Sequence, residues 1–115
     1  MTFQIFEQLL PPVHQTVRMY TAPFGSNLGV QGQLLMVNQG NVETTDYQSA
    51  SDFVRVGLAP GVVLGDEGFI AYDTLVPPNH MTQLQGICLQ SGQSLFVYSQ
   101  NGTTSFVFTG STITV

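Results

Sequence analysis

The stretch Ser94-Leu95-Phe96-Val97-Tyr98-Ser99-Gln100-Asn101-Gly102-Thr103-Thr104-Ser105-Phe106-Val107-Phe108-Thr109 sets two runs of β-branched and aromatic residues either side of Asn-Gly. Such runs suit a pleated, half-buried backbone, and Asn-Gly accepts the positive φ angles of a type I′ turn. The stretch therefore predicts strands over Ser94–Ser99 and Thr104–Thr109 joined as a hairpin. Gln90-Ser91-Gly92-Gln93 is a second turn signal. With Met81 to Leu89 before it, residues 81–109 read as an antiparallel three-stranded meander.

Working outward, the same rhythm of short apolar runs between Gly, Pro and Asn recurs at roughly ten-residue intervals, the signature of a sandwich or barrel. Further strands are expected over Asp52 to Leu58 and Gly68 to Thr74, with a short terminal piece through Ile113 and Val115. Pro77-Pro78 ends a strand, since neither proline can donate to a ladder, and makes a corner at which the chain can change sheets. Towards the N-terminus, Thr16 to Ala22 and Val30 to Val37 read as strands, with loops over Gly25 to Gly29 and residues 41–51. Met1 to Leu10 alternates imperfectly before Pro11-Pro12 and reads as an extended arm or an edge strand. The expectation is a single-domain, all-β antiparallel sandwich, jelly-roll-like, over residues 16–115, preceded by an N-terminal segment over 1–15.

Alternation assigns faces. Val54, Val56 and Leu58 point to the core, and Phe53, Arg55 and Gly57 away from it. Ile70 and Tyr72 oppose Phe69, Ala71 and Asp73; Leu95 and Val97 oppose Phe96 and Tyr98. Phe69, Phe96, Tyr98, Phe106 and Phe108 cannot all fill one face of a small sandwich, so some are expected to cover a second surface, such as a subunit interface. Arg55 and Asp73 are placed to form a buried or half-buried ion pair between neighbouring strands, away from the Val54/Tyr72 side.

Composition limits the functions available. Of 115 residues only 8% are charged, against about a quarter in ordinary soluble proteins, while Gln, Asn, Ser and Thr supply 37. A surface wetted by neutral groups avoids the desolvation cost of burying charge when two proteins meet, which suits permanent assembly. There is no lysine; Arg18 and Arg55 are the only full cations against seven acids, for a net charge of −5. Affinity for nucleic-acid phosphates and for anionic membranes comes largely from Lys and Arg, so neither is an expected partner. Residues 1–20 lack a basic start followed by an unbroken apolar run, and no signal peptide or membrane span is expected, with the mature chain starting at Met1 or Thr2.

Catalytic chemistry finds few candidates. Nucleophilic catalysis needs a base beside the nucleophile, and His14 and His80 both sit in proline-rich punctuation where exposed turn residues are expected. Two distant histidines and the lone Cys88 match no zinc pattern. Cys88 lies in the apolar run Ile87-Cys88-Leu89 and is expected to be a buried, inert thiol. Asp66 and Glu67 are adjacent and point apart in extended chain, Gly29 and Gly32 lack the context of a phosphate loop, and no loop is dense enough in oxygens for calcium. No enzyme, cofactor or metal site is expected.

Phe53-Val54-Arg55-Val56-Gly57-Leu58, then Phe69 to Pro77 with Ile70-Ala71-Tyr72-Asp73-Thr74, then Thr82 to Leu89, Ser91-Gly92, Leu95 to Ser99 and Ser105 to Gly110 together resemble a module of tailed-bacteriophage virion proteins. The resemblance covers about half of the chain. It implies a small β-sandwich acting in symmetric copies on a particle. A short stand-alone chain implies a capsid decoration (cement) protein, made in the host bacterial cytoplasm, that binds the major capsid protein on the outer shell as a homotrimer. The alternative is a tail-fibre or baseplate module whose tyrosines Tyr20, Tyr47 and Tyr98 stack on sugars. The assembly interface is expected at Phe3, Ile5, Phe6, Leu9 and Leu10 of the N-terminal segment, and at Arg55, Phe69, Asp73, Phe96 and Tyr98.

Overall fold

Alternating apolar residues need a second layer to cover them, and the chain supplies it by folding back on itself. The computed structural model describes residues 4–24, 28–40, 50–60, 64–65 and 68–114. Among the described residues eight strands follow one another: β1 (Gln4–Leu9), β2 (Thr16–Thr21), β3 (Leu28–Asn38), β4 (Asp52–Ala59), β5 (Phe69–Val76), β6 (Met81–Gln90), β7 (Ser94–Ser99) and β8 (Thr104–Thr114). One sheet has the order β1-β8-β3-β6 and the other β2-β7-β4-β5. This is jelly-roll order. β1 pairs with β8, β2 with β7, β3 with β6 and β4 with β5, so the chain is one long antiparallel hairpin rolled into two layers.

The inward residues repeat every second position. Val30, Leu34 and Met36 of β3 and Phe106 and Phe108 of β8 meet Val54, Val56, Leu95 and Val97 from the other sheet, all essentially without solvent contact. Gly32 and Gly110 face each other across β3 and β8, and a Cβ on either would collide with a carbonyl oxygen of the opposite strand. The sheet closes there only without side chains.

The meander over residues 81–109 is not formed. β6 lies beside β3, β7 between β2 and β4, and β8 between β1 and β3, so each of these connections crosses from one sheet to the other. A type I′ turn needs positive φ at both central residues. At Asn101-Gly102 only Gly102 has it, with φ +71°. Asn101 instead donates its N–H to Asp52 Oδ1 at 2.9 Å and its amide to the Ser51 carbonyl at 2.9 Å, holding the turn as an arch between layers. Among the described strands only β4 and β5 are consecutive and paired.

Other expectations are corrected in the same way. Of the terminal piece expected through Ile113 and Val115, Ile113 is part of β8, which continues unbroken to Thr114 because β3 offers a partner along its whole length, and Val115 lies outside the described residues. Of the two readings of the N-terminal segment, Gln4–Leu9 takes the edge strand, paired with β8. Cys88 is exposed, since Ile87 and Leu89 take the inward positions either side of it. Ile70 and Tyr72 face solvent, at 46% and 57% exposure. Counting back from buried Val76, they should point inward, but the β4–β5 register shifts opposite Arg55, where Asp73 adopts φ +50°, and Ala71 turns to the core instead. Of the loop expected over 41–51, residues 41–49 lie outside the described residues, and Ala50 and Ser51 are buried rather than exposed. Of the loop expected over Gly25 to Gly29, residues 25–27 lie outside them, and Leu28 and Gly29 belong to β3. As expected, the chain changes sheets at Pro77-Pro78.

One end of the sandwich is tied by two buried polar side chains. Asn38, at the end of β3, donates to the Ala50 and Val76 carbonyls at 2.8 and 2.9 Å and accepts from the Gly40 N–H at 2.8 Å and the Thr103 hydroxyl at 2.7 Å. Asp52, at the start of β4, accepts from the hydroxyls of Ser99 and Thr104 and from the Asn101 N–H. Replacing Asn38 or Asp52 by Ala leaves several buried groups without partners, each costing about 1–3 kcal/mol. Either variant is expected to lose at least about 3 kcal/mol in urea unfolding, whereas Gln39→Ala, at an exposed neighbour, should stay within about 0.5 kcal/mol of the parent.

Candidate functional site

The outer face of the β2-β7-β4-β5 sheet gathers Arg55, one of the chain's two arginines, and several aromatic rings. Alternation sends Phe53 and Arg55 of β4 outward while Val54 and Val56 fill the core. Across the ladders, Tyr98 of β7 lies opposite Arg55, Phe96 opposite Gly57, and Phe69 of β5 opposite Gly57 from the other side. The register shift that turns Ala71 inward also turns Tyr72 outward, where it joins Asp73 beside Arg55.

The result is a stacked guanidinium. Arg55 Nε donates to Asp73 Oδ1 at 2.7 Å, and its guanidinium carbon lies 4.2 Å from the Tyr72 ring centroid and 4.6 Å from that of Tyr98. Phe69 meets Tyr72 edge-on at 5.0 Å, and the His14 Nδ1 is 3.3 Å from the Tyr98 hydroxyl oxygen. The hydrogen bond to Asp73 raises the Arg55 pKa above its ordinary value, against a smaller lowering by burial. The cation lies against two rings, with its direction set by the bond to Asp73. The side chains of the pair are 28% and 48% exposed, so this is a surface feature. Around it, Phe53 (38%), Ile70 (46%) and Leu75 (48%) are open to solvent, with Phe53 and Leu75 directly paired across β4 and β5.

The expected interface residues divide into groups. Arg55, Asp73, Phe69 and Tyr98 come together, with the ion pair formed as expected but with Tyr72 on the same side as Arg55. Phe96 is buried at 5% exposure and lies opposite Gly57, against which the Leu64 side chain rests. Ile5 and Leu10 are exposed on and just after β1, while Phe6 and Leu9 pack against the core. Phe3 lies outside the described residues. Tyr72, Phe53 and Leu75 were not anticipated; Tyr72 needs the shifted register to reach Arg55, and no local sequence signal announces it.

Tyr20 lies apart from Tyr98. Tyr20 packs in a triad with Phe6 (5.2 Å) and Phe108 (5.6 Å), and Phe6 and Phe108 are 5.3 Å apart. It is an internal support for β1 and β2. Tyr47 lies outside the described residues. His14 and His80 are exposed, as expected, and among the described residues no group of three His, Cys, Asp or Glu is placed to hold a metal ion.

No protein-family model and no curated protein matches the chain. Two solved structures of a pentameric capsid protein isolated from metagenomic phage sequences are similar to it, each at 12% identity. One alignment covers 98% of this chain and 61% of the other at a TM-score of 0.36; the second covers 99% and 66% at 0.32. The chain thus spans less than two thirds of either protein, and at this distance neither assigns it a function.

Two outcomes are expected. Arg55→Met should change unfolding free energy by no more than about 1 kcal/mol, because exposed ion pairs contribute little, and urea melts check this. Burial raises the Tyr20 pKa above 10.0. A raised pKa means stability that is fully present below the unfolded value and is lost as pH rises through the folded one. Tyr20→Phe should therefore unfold at higher pH than the parent in an alkaline titration followed by circular dichroism.

Proposed function

We propose that the chain is a bacteriophage capsid decoration (cement) protein: a non-catalytic virion component, made in the host cytoplasm, that binds the major capsid protein on the outer shell as a homotrimer and strengthens it. The observation that carries this reading is the surface around Arg55. Interface hot spots are rich in Tyr and Arg surrounded by apolar contacts that exclude water, and here a stacked Arg55 is ringed by Phe53, Phe69, Ile70, Tyr72 and Leu75 on one face. Contiguous exposed apolar surface of this kind ordinarily marks a protein contact.

Three further features support it. Charge is scarce, so little desolvation opposes docking on another protein. The jelly roll is a fold used by viral capsid proteins, although also by lectins and others. The module running from Phe53 to Gly110 resembles tailed-phage virion proteins in its motif order. A trimer engaging three sites at once gains avidity from contacts that are individually modest. The reading assigns it no cofactor, nucleic acid or membrane.

The test is co-sedimentation of the purified protein with expanded phage heads lacking it, with tails and host cells in parallel. Saturable binding to heads alone is expected, and Tyr72→Ala or Arg55→Ala should weaken it by at least about tenfold, equivalent to about 1.4 kcal/mol, with folding intact. Binding to tails or cells and not to heads would move the protein to the fibre or baseplate class.

A further inference from the structure

An edge strand leaves a row of backbone N–H and C=O groups unpaired, and proteins usually blunt it with charge, proline or a bulge. The two sheets present four edges: β1 and β6 on one, β2 and β5 on the other. β1 carries Glu7, β2 Arg18, and β5 Asp73 with its shifted register. β6 is different. It has ten residues, Met81-Thr82-Gln83-Leu84-Gln85-Gly86-Ile87-Cys88-Leu89-Gln90, with no charge and no proline, and its irregularity is confined to the stretch around Gly86. Among the described residues, nothing pairs with its outer side.

The sheet that ends in β6 is also nearly without charge. Across β1, β3, β6 and β8, Glu7 is the one charged residue, while Gln31, Gln33, Gln83 and Gln85 stand among Leu35, Val37 and Val107 on its outward positions. Copies of a chain with net charge −5 repel each other, and they meet at least cost where this charge is absent. A glutamine amide both donates and accepts, so a Gln-lined edge can bond to another of its kind.

Strand direction selects the partner strand. β1 and β3 run one way and β8 and β6 the other, because each neighbouring pair is antiparallel. With four alternating strands, a rotation about an axis along the strands sets β6 of one copy antiparallel to β1 of the next. The alternation then continues across the joint. β1 brings two exposed apolar side chains close to that edge, Ile5 at 58% and Leu10 at 52%, together with Gln4 and Gln8. A two-fold pairing of β6 with itself would leave Ile5 and Leu10 uncovered, and a two-fold pairing of β1 would bring Glu7 near its own copy. A head-to-tail contact covers both edges at once, and when its rotation closes it forms a ring.

We propose that β6 takes β1 of a second copy of this chain, head to tail, so that the β1-β8-β3-β6 sheets join into one closed antiparallel ring. This rests on the symmetric-oligomer reading above and names the contact that builds it. Glu7 then lies against an uncharged strand, and the least protected edge of the molecule is filled by its own partner.

Disulfide trapping tests the joint. Ile5→Cys is combined with native Cys88, or, in a Cys88→Ser background, with Gln83→Cys or Gln85→Cys, so that three registers are sampled along β6. All these positions are exposed, and circular dichroism melts confirm folding. On mild oxidation at least one pair should convert most of the chain to a covalent ladder on non-reducing gels that ends at the copy number seen by native mass spectrometry. The same chain with only one cysteine of the pair has no partner across the joint and should stay largely uncrosslinked on the same gels. An oligomer that none of the three pairs can bridge overturns the joint, as does a monomer in solution. Complete conversion of the parent to Cys88-linked dimers overturns it in favour of two-fold β6 pairing. Loss of head binding with the ladder intact would instead count against the decoration role alone.

Discussion

The fold depends on a buried polar knot at one end of the sandwich. Asn38 closes β3 and Asp52 opens β4, and between them they hold the ends of β5, β7 and β8 through bonds to Val76, Ser99, Thr103 and Thr104. Backbone bonds from Asn38 N–H to the His80 carbonyl and from Asn79 N–H to the Asn38 carbonyl bring in the approach to β6. Each time the chain passes between layers at this end, its backbone must leave a ladder, and an unpaired buried group there would cost as much as a lost hydrogen bond. Two short side chains supply those partners. Among the described residues no buried side-chain nitrogen or oxygen lacks one.

The knot matters because almost nothing in this topology is held by local pairing. β1 and β8 are ladder partners from opposite ends of the chain, as are β2 and β7 one turn further in, and among the described strands only β4 and β5 pair as sequential neighbours. Loop closure must precede the reward of such contacts, so folding by this route is slow relative to a meander of the same size. Specific buried hydrogen bonds then fix which arch joins which layer, while the apolar core, which is tolerant of detail, supplies most of the stabilisation.

The same economy of charge shapes the surface. Arg55 is fixed by Asp73 and stacked by Tyr72 and Tyr98 on one sheet, while the opposite sheet carries Glu7 alone among its strands. One face offers a rigid aromatic and cationic patch, the other a neutral edge and a glutamine-rich face. Two chemically distinct surfaces on opposite layers fit the proposal that the chain meets its own copies by one route and a different protein by another.

The sequence by itself determined the strand content, the period-two core of β4 and β7, the change of sheet at Pro77-Pro78 and the meeting of Arg55 with Asp73. Those depend on local alternation and backbone restriction, which act over a few residues. It did not disclose that Asn101-Gly102 forms an arch rather than a hairpin, that Cys88 and Tyr72 face outward, or that Tyr20 supports the inside. A turn's residues specify a change of direction but not which strand receives the chain, and one extra residue in a ladder reverses the face of every side chain beyond it. Pairing between distant strands made those choices, because only the assembled sheets decide where hydrogen-bond partners and covered surface are found.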